Sequence, residues 1–541
     1  MFTHQANPAP VTAGKGMLQL FAKPENDGPP VRRPEVVIPT AQQFDEQYYF
    51  FCQRDIPIRE ATKGGLVVGA NGSGKTACVF RPLLQSIVER VRENCGRGER
   101  IIIFDAKGDV LAFLASLGFT PEDGSVQILN AFDKRGVRWH IAESLQEPAR
   151  AWDFCSKLVP EEKNSTAPFF SDAARLLAFA VILALNAKHG TNWMFRDLLC
   201  ALESKEIISE IAAQCPQANA IARGILCDEK HSPSVIASLQ TKIRKFSQVA
   251  ALWANNKEAP KFSIQEFLKT PGILVIGFDH VMKESWVPLI ELFLRCYADE
   301  VLAGPETLDP TNHFLLDEFT TMGKFDKEKT IVDLLELGRS KGVCCTLGIQ
   351  SIAALIEIYT EPGANRILSL CAHKMFLRVG DPQSGEWIEK FVGKRRMTET
   401  TYSESWGKNG SSTSIQYAVQ DRSLLLASVF MNIPFPGPGK EFSVICDVPS
   451  EHAMILTSRS FDQILSWAPP AVAFEAVQRQ TGIKEQTLLP WDEIDKAKFL
   501  KPALEQGSNP THGKEKPVKN NYLPSRKKRS PTIQTKDTFS E

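Results

Sequence analysis

The stretch Gly65 to Phe80, GLVVGANGSGKTACVF, constrains the chain more than any other, because it joins a short apolar strand, a glycine loop and a helix start in one unit. Gly69, Gly72 and Gly74 let the backbone turn tightly enough for successive N–H groups to converge on a phosphate chain, where a Cβ would obstruct the approach. The cradle would be Gly69, Ala70, Asn71, Gly72, Ser73 and Gly74. Lys75 would open the helix and reach the β- and γ-phosphates, Thr76 would offer a hydroxyl to Mg²⁺, and the helix N-terminus would add its partial positive charge. Eight residues of this pattern recur by chance, so context decides. Leu66, Val67 and Val68 read as a buried parallel strand, and Val79, Leu83, Leu84 and Ile87 recur at helical spacing. The stretch is a P-loop and implies an α/β fold.

The remaining composition limits the options. A chain of 541 residues is too long for one ordinary core and implies two or three units. With 63 basic and 63 acidic residues the whole-chain charge selects no partner, so any nucleic-acid contact must come from local basic patches. Twelve cysteines show no C-x-x-C spacing, which reads as reduced, buried thiols rather than a metal site. The longest apolar run, Leu176 to Leu185, is about half of the roughly 20 residues a membrane span needs and reads as a core helix. No secretory signal pattern opens the chain, so a cytoplasmic location is expected.

Residues 1–45 are rich in Pro, Ala, Thr and Gly and read as a flexible arm. Residues 46–144 hold the P-loop and a second buried strand, Ile101 to Phe104, that ends in Asp105, Lys107 and Asp109. Charged groups at the carboxyl end of such a strand face the ligand crevice, or else form a solvated turn. Between residues 145 and 268 strand-like runs give way to helical periodicity, expected over Ser171–Ala187, Asn192–Leu202, Ile207–Ile225 and Ser234–Leu252. Ser232 would cap the last of these with Pro233 at its first position, and Lys242, Arg244 and Lys245 would form a basic cluster there, a solvated face rather than a DNA contact.

Strands return in residues 269–470. The run HFLLDEFTTMG delivers Asp317 and Glu318 side by side after the apolar Phe314 to Leu316. Adjacent carboxylates at a strand end repel each other unless a cation shares the site, which implies a metal. With the P-loop upstream, Asp317 would hold the Mg²⁺ shell and Glu318 would polarise the water attacking the γ-phosphate of ATP. A helix from Thr330 to Lys341 leads into the strand Val343 to Ile349 and Gln350, a polar group placed to sense the γ-phosphate. Arg339 could act as an arginine finger on a neighbouring subunit, or lie idle on the surface. Thr398 to Ser414, after Lys394–Arg396, reads as a mobile loop that is pore-facing or a plain linker. Residues 471–541 form a C-terminal extension whose tail carries the basic block Arg526 to Arg529.

The order of GANGSGKT, IIFDAKGD, a helical insertion, LLDEFTTMG and LGRSKGVCCTLGIQS closely resembles the coupling proteins of type IV secretion, of the TraG/TraD type, over roughly Ile56 to Ser458. The resemblance implies a RecA-like ATPase unit with an inserted all-helical domain, closing into a hexamer at the inner membrane. It implies recruitment of relaxase-bound DNA and accessory proteins to a secretion channel by ATP-driven translocation. Lys75 and Thr76 would be the phosphate and Mg²⁺ residues, Asp317 and Glu318 the acidic pair, Arg339 the trans-acting arginine and Gln350 the sensor. The family usually carries a transmembrane pair ahead of the motor, and the N-terminal arm here reads as having none. A membrane-anchored partner would then tether the chain, or it would work as a cytosolic motor or a nucleotide-gated docking platform outside secretion.

Overall fold

The computed structural model describes residues 48–51, 54–92, 98–161, 168–323, 329–407, 410–448, 454–468, 474, 477–480 and 482–500. The expected arm 1–45 and the basic block Arg526–Arg529 lie outside the described residues.

Nine strands make the central sheet: β1 (Gly65–Val68), β2 (Arg100–Asp105), β3 (Val126–Leu129), β4 (Gly272–Gly277), β5 (Thr307–Leu316), β6 (Lys341–Ile349), β7 (His373–Phe376), β8 (Glu441–Asp447) and β9 (Ile455–Ser460). Their order is β9-β8-β7-β1-β6-β5-β2-β4-β3. Pairing is parallel from β7 across to β3, whereas β8 and β9 are antiparallel at one edge. Alternation along the strands shows why the sheet is covered on both sides. Ile102 and Phe104 of β2 join one apolar core, and Ile101 and Ile103 join the other. This is the expected α/β class.

Between β3 and β4 the chain is mostly helical, from Ile141–Ser144 through the long Pro168–His189 to Ser247–Asn255. The span is not purely helical, because Lys261–Phe262 pairs in parallel with Arg138–Trp139. Pro168–His189 is the one described helix long and apolar enough to cross a membrane, and it packs against neighbouring helices with two thirds of its apolar window buried. The helical layer shares a continuous core with one face of the sheet. Trp286 sits at that seam, fully buried, its indole N–H donating to the Gly277 carbonyl at 2.8 Å and its ring edge-on to Phe132 and Trp253.

Several expected boundaries move. Pro216 starts its own helix, Pro216–Leu226, so the segment expected over Ile207–Ile225 breaks after Lys205–Ala212, as a proline without an N–H requires. The cap position expected for Ser232 belongs to His231, with Ser232 as the first helical residue and no side-chain capping bond. A 3-10 turn, Arg244–Phe246, interrupts the helix expected to run to Leu252. Lys242 is not merely solvated, since its ammonium donates to the Ser171 hydroxyl at 2.9 Å. The helix expected to reach Lys341 stops at Leu337, and a 3-10 turn, Gly338–Ser340, passes directly into β6.

The largest correction concerns the expected mobile loop at Thr398–Ser414. Lys394–Gly407 and Gly410–Ser423 form a two-stranded antiparallel ribbon, with Lys394 paired to Ser423 and Gly407 to Gly410. Serine and glycine content suggested a loop, but Thr400, Tyr402 and Trp406 alternate with polar residues and lie opposite Tyr417, Ile415 and Ser411, a strand pattern of period two. Arg396 pairs with Asp421 at 3.1 Å, which offsets one charge of the Lys394–Arg396 run, and Arg422 pairs with Glu399 across the ribbon.

Because the helical layer and the sheet share one core, Trp286→Ala is expected to cost about 3–5 kcal/mol. Urea denaturation followed by far-UV circular dichroism and by tryptophan fluorescence should show one coincident, left-shifted transition rather than separate loss of the helical part.

Candidate functional site

The register of three neighbouring strands builds the site. Val68 of β1 lies opposite Ile349 of β6, and Leu347 of β6 opposite Leu316 of β5, so the three chains leave the same edge of the sheet within two residues of one level. The residues that follow are Gly69, Gln350 and Asp317. Register with β2 pairs Phe104 with Leu316 and sets Asp105 abreast of Asp317. The Arg100 guanidinium, donating to the Asn312 side-chain carbonyl at 3.0 Å, pins that register at the opposite end.

The glycine loop closes over this level. Gly69 N–H donates to Ile349 and Ala70 N–H to the Arg378 carbonyl, at 3.1 and 2.7 Å. Gly72 and Gly74 adopt φ of 76° and 94°, which L side chains rarely reach. A Cβ at Gly69 would come within 2.5 Å of the Ser73 hydroxyl, itself buried and without a hydrogen-bond partner among the described residues. An orphaned hydroxyl in a cradle that a Cβ would fill suits an anion. Asn71 is exposed at the loop apex. Lys75 follows, buried, its ammonium donating to the Gly69 carbonyl at 2.6 Å and lying 3.7 Å from Glu318. The helix opens as a π-helical segment, Lys75–Phe80, before Arg81–Arg92.

Thr76 and Asp317, 241 positions apart, meet directly: the hydroxyl donates to the carboxylate at 2.6 Å. Asp317 also accepts the Glu318 N–H at 3.0 Å. The approach is possible because Gly348 lies beneath the carboxylate, where a Cβ would be 2.7 Å from Asp317 and 2.8 Å from Phe80. Glu318 holds φ 58° and ψ 40°, a left-handed conformation that costs a non-glycine residue about 1 kcal/mol or more. That turn aims its carboxylate back at the loop, where it accepts from the Gln350 amide at 2.5 Å and pairs with Lys107 at 2.8 Å.

The charges are mutually adjusted. Burial lowers the Lys75 pKa, only partly offset by Glu318 and Asp317. Burial pushes Asp317 up against the Thr76 hydrogen bond and the Lys107 charge. Burial would also raise Glu318, but Lys107, Lys75 and Gln350 outweigh it and hold this carboxyl below its usual range. Glu318 thus stays ionised between two cations. Asp105 serves the backbone instead, accepting from the N–H groups of Lys107, Gly108 and Val110, and burial with the nearby Asp109 charge raises it to about 6. Asp109 pairs with Arg81 at 3.4 Å.

Lys75, Thr76, Asp317, Glu318 and Gln350 are therefore brought together. Arg339 is not. It is exposed in the 3-10 turn Gly338–Ser340, with no hydrogen bond or ion pair of its side chain among the described residues. Lys107 was legible only as a charged residue at a strand end; its bond to Glu318 needed the fold. Gly348 had a readable signal, a glycine inside an apolar strand, which marks a close approach. Among the described residues no group of three or more His, Cys, Asp or Glu could hold a metal ion. A Mg²⁺ ion needs fewer protein ligands when phosphate oxygens and water complete its shell, and the Thr76 hydroxyl with the Asp317 carboxylate fits that demand.

A mostly parallel sheet whose adjoining strand ends carry a glycine cradle, a helix-start lysine and an acidic pair is the RecA-like P-loop architecture. Residues 51–444 match the family described as the type IV secretion-system coupling protein DNA-binding domain, and the chain belongs to that family. The coupling protein TraD of Escherichia coli is 24% identical over 399 residues, 70% of this chain and 52% of the relative, so the chain spans about half its length. The unbound bacterial conjugative coupling protein TrwB superposes with a TM-score of 0.58 at 17% identity, covering 81% of this chain and 93% of that one. TrwB in complex with ADP and Mg²⁺ gives 0.56 at 17% identity with the same coverage. TrwB with a non-hydrolysable ATP analogue gives 0.58 at 17%, covering 84% and 99%.

Gly348→Ala should displace Asp317 from Thr76 and cost about 1–3 kcal/mol through overpacking against Phe80. Thermal melts would show the loss, and a wild-type melting temperature would mean that the strand end has slack.

Proposed function

We propose that the chain is an ATP-driven, DNA-translocating coupling protein that brings relaxase-bound DNA to a type IV secretion channel during conjugative transfer. The observation that carries the reading is the Thr76–Asp317 bond at 2.6 Å, with Lys75 and Glu318 beside it, because it unites phosphate-binding and water-activating groups from distant sequence. Family membership supports the secretion context, and the TrwB complexes with ADP and Mg²⁺ and with an ATP analogue support the ligands.

In this reading the backbone of Gly69–Gly74 and the Lys75 ammonium hold the β- and γ-phosphates. Mg²⁺, held by Thr76 and Asp317, would neutralise developing phosphate charge. Glu318 orients the attacking water and takes its proton at the carboxylate, and Gln350 reports the γ-phosphate to Glu318 through their hydrogen bond. Arg339, exposed and unengaged among the described residues, fits a role on a neighbour's nucleotide in a homo-hexamer. Residues 46–144 and 269–470 form the nucleotide-binding unit, and the helices of 145–268 select relaxase and accessory proteins. The chain works from the cytoplasm, held at the inner membrane by a partner.

Lys75→Ala should abolish ATP hydrolysis without changing the far-UV circular dichroism spectrum, and Glu318→Gln should retain ATP binding while slowing turnover about a hundredfold or more. Adding DNA should accelerate wild-type hydrolysis. Unchanged turnover with DNA would replace the motor with a nucleotide-gated docking platform. Arg339→Ala should inactivate assembled protein, and mixing it with Glu318→Gln subunits should restore part of the activity. Failure at every mixing ratio would remove Arg339 from the neighbouring site.

A further inference from the structure

The P-loop has a second wall that the chemistry above does not use. After β7, Arg378 gives its carbonyl to the Ala70 N–H at 2.7 Å, and its guanidinium donates to the Ile433 carbonyl at 3.1 Å while lying 4.5 Å over the ring of Phe435. Phe435 belongs to the turn Pro434–Gly439, PFPGPG. Its ring stands against the loop apex, 3.7 Å from where a Cβ on Gly72 would sit, and Pro436 is 3.0 Å from the same position on Gly74. Phe435 is nonetheless 45% exposed, a large apolar ring open to solvent beside a phosphate cradle.

We propose that the Phe435 ring is the platform on which the purine base of the bound nucleotide stacks. The inference rests on the nucleotide reading above and extends it to base recognition. Arg378 holds one side of the ring and ties it to the loop backbone, leaving the rest of the ring for a flat aromatic ligand. The turn also sets the selectivity. Pro434, Pro436 and Pro438 lack N–H groups and Gly437 and Gly439 lack side chains, so within this segment no neighbour of the ring offers a side-chain donor or acceptor to a base edge. Stacking without edge reading accepts adenine and guanine alike, since every base presents a π-face.

Calorimetric titration with ATP, GTP and inorganic tripolyphosphate, each with Mg²⁺, tests this. Wild-type protein should bind ATP and GTP within about threefold of each other and tripolyphosphate more weakly. Phe435→Ala should weaken both nucleotides about tenfold and leave tripolyphosphate unchanged, and Phe435→Trp should restore nucleotide binding. Equal losses for nucleotide and tripolyphosphate would make the ring a prop for the loop and overturn the proposal, as would undiminished ATP binding. Wild-type protein that binds neither nucleotide nor tripolyphosphate would overturn the nucleotide reading and the platform together.

Discussion

The register in which β1, β6 and β5 leave the sheet is the constraint on which the site depends. Parallel pairing fixes it: once Val68 faces Ile349 and Leu347 faces Leu316, Gly69 emerges abreast of Gln350, and Asp317 abreast of Gly348 two residues earlier on β6. A register slip of one residue would turn each strand's side chains to the opposite face, moving Leu66 and Val68 out of one core and into the other. The energy that burial on both faces contributes is thus what holds Thr76 against Asp317 across 241 positions.

That arrangement concentrates charge where water is scarce. Two lysines, two carboxylates and an amide converge; at Glu318 the lysines and the Gln350 amide outweigh burial, whereas at Lys75 and Asp317 burial prevails. The left-handed turn at Glu318 follows from this crowding. The strand must end abruptly for consecutive carboxylates to point at different partners, Asp317 to the helix threonine and Glu318 to the lysines. The surrounding packing maintains the strain, with Phe319 fully buried and stacked on Tyr359.

The helices between β3 and β4 are joined to this unit more firmly than an appended module would be. Trp286 bridges the layers, and the segment after Phe474 crosses between them: Arg479 pairs with Asp279 at 2.7 Å, and the Asn255 amide caps the carbonyls of Lys484, Glu485 and Thr487. Further along, Arg196 holds Asp495 at 2.9 Å, and Trp491 stacks on Phe499 while donating to Asp197. A shared core means that the helical layer and the ends of β3 and β4 are packed as one body.

The α/β class was legible in the sequence, and so was the candidacy of Lys75, Thr76, Asp317, Glu318 and Gln350, which the fold brings together, because a P-loop reading ties particular side chains to fixed offsets from a strand or a helix start. The Thr398–Ser414 stretch was misread because serine and glycine content speaks for loops, while the alternation of Tyr402 and Trp406 becomes decisive only once a partner strand exists. Helix ends moved for a similar reason, since capping bonds and proline breaks compete locally. What only the tertiary structure decided is contact between distant parts: the Lys107–Glu318 pair, the space beneath Asp317 at Gly348, and the Phe435 ring against Gly72. Local sequence encodes backbone preference and chemical type. Juxtaposition depends on strand register and on the packing of both sheet faces, which are properties of the whole chain.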